Sequence, residues 1–263
     1  MQVIHVSFQN DSTVLPGEFN LVLPEKEAPR FQGDNPHYKR PRKTLVLLHG
    51  FSGDCNEWIW HAPVLEYAEK YNLAICTPSG GLNFYLNQPE TGRAYDTFIG
   101  EKLIDYLRDT FRLAEKREDT LIGGLSMGGF GALHVGLGHP DTFSAIIALS
   151  SAFLIPDLKN MPPQGNGRAN YEYYRSTFGD LSIAAESDQN PEVLHRKLME
   201  KGADVPRIFM ACGTEDFLYT RNLGLRDTLL KQGADLEYRE GPGVHDWHFW
   251  VPYLDDGLRW FLE

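Results

Sequence analysis

The run Gly124-Leu-Ser-Met-Gly128 fits the pattern G-x-S-x-G, and the residues around it give that pattern chemical meaning. Asp119-Thr-Leu-Ile-Gly-Gly precedes it with the character of a strand, and Gly128-Gly-Phe-Gly-Ala-Leu follows as a small-residue helix. A serine on such a sharp strand-to-helix turn has its hydroxyl lifted clear of the backbone. Glycines two positions to either side let strand and helix close without a side-chain collision. The free N–H groups at the start of the helix would favour an oxyanion as it forms. Ser126 is therefore a candidate nucleophile for acyl transfer. A phosphate-binding reading fails, because neither G-x-G-x-x-G nor Gly-Lys-Ser/Thr occurs in this stretch.

A serine hydroxyl needs a base to take its proton, and the base needs an acid to orient it. Of nine histidines, His195, His245 and His248 follow Ser126 at long range. His245 lies in the glycine-rich loop Glu240-Gly-Pro-Gly-Val-His-Asp-Trp-His248, between the last strand-like run and the last helix-like run. It is the preferred base. His248 would fall a turn into the helix and point elsewhere. The two histidines are spaced for a metal, but no third ligand cluster accompanies them, so no metal is expected. Asp216, in Ala211-Cys-Gly-Thr-Glu-Asp-Phe-Leu218, directly follows a strand and is the expected acid, with Glu215 its competitor. The oxyanion hole should combine the N–H of Met127 with one from His49-Gly50-Phe51-Ser-Gly53, of which Phe51 is the choice. His49 reads as a brace for that loop.

The elements that must hold these groups alternate along the chain. Val3–Phe8 and Glu18–Leu23 read as antiparallel strands. Thr44–Leu48, Leu73–Thr77, Thr120–Gly124, Ala145–Leu149, Arg207–Cys212 and Leu236–Arg239 then follow as short strands, several of them continuously apolar. Helical spacing runs through Asp96–Thr110, Met127–Leu137, Leu223–Lys231 and Trp247–Phe261. This pattern predicts a mostly parallel sheet with helices on both faces, in a single domain over 1–263. One stretch, 151–189, breaks the alternation with Pro162-Pro163, Gly165 and Gly167. It carries Tyr171, Tyr173, Tyr174 and Phe178. Excursions of this length are commonly lids or binding loops. These four aromatics, with Trp247 from the histidine loop, are the candidate walls of a small acyl pocket.

A net charge of -11 over 263 residues disfavours nucleic acid and acidic bilayers as partners. The basic run Lys39, Arg40, Arg42, Lys43 reads as a solvated approach to the next strand. Three scattered cysteines form no disulfide framework. The N-terminal residues lack the features of a signal peptide and no run is long and apolar enough to span a membrane, so a cytoplasmic location is expected.

Leu47-Leu-His-Gly50, Gly123-Gly-Leu-Ser-Met-Gly-Gly129, Cys212-Gly-Thr-Glu-Asp-Phe-Leu-Tyr219 and Gly243-Val-His-Asp-Trp-His-Phe-Trp250 together resemble the esterase D family of α/β-hydrolases, bacterial tributyrin esterases in particular. The resemblance runs from about Thr44 to the C-terminus. It implies a three-layer αβα sandwich whose mostly parallel sheet is antiparallel at its N-terminal edge. It further implies a serine esterase without metal or organic cofactor, acting on short acyl esters such as acetyl, butyryl or acetylated-sugar substrates. The same Ser126, Asp216, His245, Phe51 and Met127 would carry the reaction. Because the family includes S-formylglutathione hydrolases, feruloyl esterases and mycolyltransferases, the resemblance does not choose the substrate. The expected partner is a small-molecule ester, with self-association left open. A non-catalytic binding protein on the same scaffold is the contrasting reading.

Overall fold

The computed structural model describes residues 1–29, 33–88 and 90–263. Eight strands form one sheet: β1 (Gln2–Phe8), β2 (Gly17–Leu23), β3 (Lys43–Leu48), β4 (Leu73–Pro78), β5 (Thr120–Leu125), β6 (Ala145–Leu149), β7 (Arg207–Gly213) and β8 (Leu236–Gly241). Their spatial order is β1-β2-β4-β3-β5-β6-β7-β8. β1 pairs antiparallel with β2 and β2 antiparallel with β4, and every later pairing is parallel. The expected mixed sheet, antiparallel at its N-terminal edge, is what the chain forms.

Alternation along the central strands divides the core in two. Val46 and Leu48 of β3 and Ile146 and Ala148 of β6 face one side. Leu45, Leu47, Ile147 and Leu149 face the other. Both sets are fully buried, because helices cover both faces of the sheet. One face carries α1 (Glu57–His61), α2 (Val64–Tyr71) and α9 (Trp247–Leu262). The other carries α3 (residues 95–111), α4 (Met127–Gly138), α7 (Pro191–Lys201) and α8 (Tyr219–Lys231). The expected helix over Asp96–Thr110 is present as α3, with two stretches wound as π-helix, Phe98–Lys102 and Leu107–Phe111. α2 carries Val64, Tyr67, Ala68 and Tyr71 on its buried side, a helical spacing that the sequence reading passed over.

The 151–189 excursion is folded. It contains α5 (Ile155–Leu158) and α6 (Tyr171–Phe178), the latter capped by Asn170, whose side chain accepts the Tyr173 N–H at 2.9 Å. Phe178 anchors it, 5.1 Å from the Phe84 ring and 5.8 Å from Phe130. The basic run is also engaged rather than solvated. Arg40 donates to the Tyr71 carbonyl at the end of α2, Arg42 to the Pro24 and Glu25 carbonyls, and Lys43 pairs with Asp119 at 3.0 Å. Unsatisfied carbonyls at a helix end and in a loop draw these cations in. All three cysteines are buried free thiols.

Candidate active site

Parallel strands that all run one way bring their carboxyl ends to one edge, and four loops meet there. Ser126 occupies the turn between β5 and α4 at φ 53 and ψ -116, a conformation that a side chain rarely adopts. Its backbone is held on both sides: the N–H donates to the Leu149 carbonyl at 2.8 Å, and the carbonyl accepts from Ala152 at 2.9 Å. The flanking glycines have the role expected of them. A Cβ on Gly128 would lie 2.4 Å from the Leu48 carbonyl oxygen, and one on Gly124 would lie 2.4 Å from the Gly128 oxygen. No side chain fits into backbone that close.

His245 Nε2 lies 2.9 Å from Ser126 Oγ, and its Nδ1 lies 2.8 Å from Asp216 Oδ2. Asp216 is buried, with its other oxygen accepting the Leu218 N–H at 2.8 Å. Burial pushes its carboxyl upward. The hydrogen bond and charge of His245, the Leu218 N–H and the Ser150 hydroxyl outweigh that and hold it below the ordinary carboxylate range. Since Asp216 is ionised at neutral pH, Nδ1 of His245 carries the proton that faces it and Nε2 is left to accept from Ser126.

Ser150 was not foreseen from the sequence. It is fully buried at φ 44, and its Oγ accepts the Trp250 indole N–H at 3.0 Å. The Ser150 hydroxyl is also among the groups that hold the Asp216 carboxyl low. Burial pushes the Cys212 thiol up to about 12, so it stays protonated there. Asn222, fully buried, binds both the N–H and the carbonyl of Ser151 at 3.0 Å and the Leu218 carbonyl at 3.0 Å, tying the end of β6 to the acid loop. A polar residue at a helical position close behind the acid was the one available signal for it.

The competing residues have other tasks. Glu215 is exposed, and its carboxylate accepts the Gly243 N–H at 2.5 Å and the Thr214 hydroxyl at 3.0 Å, so it fastens the histidine loop to the acid loop. The two loops are close enough that a Cβ on Gly213 would meet the Gly243 oxygen at 2.2 Å. His248 is exposed on α9, and His195 pairs with Gln232 at 2.8 Å. His49 is a brace, as expected. Its Nε2 accepts the Gly80 N–H at 2.8 Å while Nδ1 contacts the Gly50 carbonyl at 2.7 Å, and burial lowers its pKa so that it stays neutral. Glu57 supports the same loop by accepting the Gly50 N–H at 2.7 Å; burial raises its pKa.

Ser126 opens into a cavity of about 50 Å³ that Phe51, Phe84, Met127, Ala152, Leu154, Asn166, Arg168, Tyr174, Phe217 and Leu218 line. Phe51 and Met127, chosen as oxyanion donors, are both at this wall. Of the expected aromatic lining only Tyr174 is there. Tyr173 packs edge-on against Phe51 at 5.6 Å, one layer back, and Tyr171 is packed against the core. Phe178 is in the core. Trp247 turns away. Asp246 caps α9 by accepting the Phe249 N–H at 3.2 Å, which sends Trp247 to the far face against Trp58 at 5.0 Å and His61 at 4.9 Å.

Comparison with known proteins places this geometry in a family. Residues 20–261 match the Esterase family model ("Putative esterase"). The chain belongs to the Esterase family. It is 38% identical over 265 residues to an acetyl esterase of Caldicellulosiruptor saccharolyticus, covering 100% of this chain and 99% of that one. Among solved structures it resembles the substrate-bound fluorophosphonate-binding serine hydrolase F of Staphylococcus aureus, with a TM-score of 0.85, 27% identity, and coverage of 100% and 98%. The S-formylglutathione hydrolase of S. aureus gives a TM-score of 0.81 with 26% identity, and each chain is covered in full at 100%. The fold is that of the α/β-hydrolases, and the protein is a serine esterase, a carboxylic ester hydrolase whose partner is a small-molecule ester. No helix among the described residues is long and apolar enough to cross a membrane.

Proposed function

We propose that this esterase hydrolyses small esters with short acyl chains, acetyl above all, through an acyl-enzyme on Ser126. The observation that carries the reading is the unbroken hydrogen-bonded series Ser126–His245–Asp216 at the mouth of a cavity of about 50 Å³. His245 takes the serine proton as Oγ attacks the carbonyl carbon. The N–H groups of Phe51 and Met127 receive the oxyanion, and His245 returns the proton to the departing alcohol. Water then repeats the sequence on the acyl-enzyme. A space this small beside Ser126 suits an acetyl or slightly longer chain. The 38% identity with an acetyl esterase supports the same reading, as does the resemblance to tributyrin esterases. The likeness to an S-formylglutathione hydrolase supports a second reading, hydrolysis of a short-acyl thioester by the same groups.

The test is Ser126→Ala assayed on p-nitrophenyl acetate. The methyl group fits where the hydroxymethyl stood, so the variant folds normally and loses several powers of ten in kcat. Turnover near that of the wild type by a folded variant would sink the assignment.

A further inference from the structure

Two polar side chains of the 151–189 excursion line the cavity, and neither is needed for the hydrolytic steps. Asn166 Oδ1 accepts three hydrogen bonds, from the Arg168 N–H at 3.1 Å, the Ala169 N–H at 3.4 Å and the Tyr174 hydroxyl at 2.9 Å. Those donors fix the orientation of the amide and occupy its oxygen, so only the NH2 group remains to meet a ligand. Arg168 is exposed. Its guanidinium lies 5.1 Å from the centre of the Phe217 ring, and among the described residues it forms no ion pair. These two side chains therefore offer the rim N–H donors and a positive charge.

Its position identifies the half of the substrate it would touch. Phe217 packs against the His245 ring, with centroids 4.6 Å apart. The order Arg168, Phe217, His245 thus runs along the side of the cavity where the base stands, and the base is the group that protonates the departing alcohol. Phe84, Ala152 and Tyr174, all buried, form the apolar side left for the acyl group.

We infer that Arg168 and Asn166 form a leaving-group subsite for a carboxylate, so that the preferred substrate is a short-acyl ester or thioester whose alcohol or thiol portion is anionic. This rests on the short-acyl reading above and names its substrate class. A carboxylate accepts hydrogen bonds and donates none, which matches the donors that Arg168 and Asn166 present. The net charge of -11 sharpens the point, since an anionic substrate is repelled by the molecule as a whole and needs a local cation to be held.

The experiment compares kcat/KM for 4-acetoxybenzoate with that for the neutral 4-acetoxybenzamide, which share the acyl group and the ring. At low ionic strength the wild type favours the benzoate roughly three- to tenfold, as suits an exposed charge pair. Arg168→Gln brings the ratio to one or below, Arg168→Lys keeps part of the preference, and molar sodium chloride erases it in the wild type. The readout is the ratio within each variant, so a general loss of activity cancels. Equal rates on both substrates in the wild type, or an unchanged ratio in Arg168→Gln, would overturn the subsite and leave the esterase reading standing. Failure of the wild type to hydrolyse either acetate would overturn the short-acyl reading, and the subsite with it.

Discussion

Replacing Ser150 with alanine removes one hydroxyl and strands the partner it holds. The Trp250 indole N–H, which donates to Ser150 at 3.0 Å, is left buried without an acceptor, at a cost of about 1–3 kcal/mol. Asp216 also loses one of the groups that hold its carboxyl low. Alanine tolerates φ 44 no worse than serine does, so backbone strain does not change the sum. A destabilisation of about 2 kcal/mol is expected, which in a chain of this size lowers Tm by roughly 4–8 °C. The second substitution separates the parts. Trp250→Phe takes away the stranded donor, so Ser150→Ala costs less in that background, with a coupling of about 1–2 kcal/mol. Urea unfolding of the four proteins at neutral pH measures the cycle. Simple additivity of the two substitutions would refute the argument. The pH dependence has a definite sign. A carboxyl held below its ordinary pKa contributes stability at pH values above that ordinary pKa and loses it as pH falls through the folded value. In Ser150→Ala the folded value moves closer to the ordinary one, so this contribution is smaller and its loss on acidification is complete at a higher pH.

His245→Ala should match Ser126→Ala in severity, whereas His248→Ala, altering an exposed side chain, should retain most activity. Because the base must be neutral to accept the Ser126 proton, kcat/KM should fall on acidification, and a pH-rate profile checks this. Tyr174→Ala should enlarge the acyl side of the cavity and extend the accepted chain length. Each added methylene that fits gains about 0.8 kcal/mol, nearly fourfold in kcat/KM, while Tyr171→Ala leaves the length profile unchanged across p-nitrophenyl esters from acetate to decanoate.

The meeting of Ser126, His245 and Asp216 was legible because each sits at a strand end whose sequence context is local. Gly124 and Gly128 announce a close crossing, and the glycine-rich loop before Trp247 announces a base held at the sheet edge. The cavity wall was not legible in the same way. Asn166 and Arg168 reach the cavity through the path of a segment without periodicity, and nothing in the acid loop marks Phe217 as turning toward it. Aromatic type alone does not separate Tyr174, which faces the cavity, from Phe178, which anchors the core one helical turn on. Trp247 is two residues from the base in the chain, yet the Asp246 cap turns it to the other face of the sheet. Ser150, beside a second serine, and Asn222, after Thr220 and Arg221, carry no local sign of their roles. Only the partners that they meet in three dimensions reveal what they do.

Glu215 and the close contact of Gly213 with Gly243 give the Asp216 and His245 loops a common frame, fastened to the sheet. The 151–189 excursion joins that frame at its first residues, where Asn222 holds Ser151 and the Ala152 N–H donates to the Ser126 carbonyl. Exchanging residues 153–189 for another sequence of similar anchoring would then change the rim of the cavity while the spacing of Ser126, His245 and Asp216 is held constant.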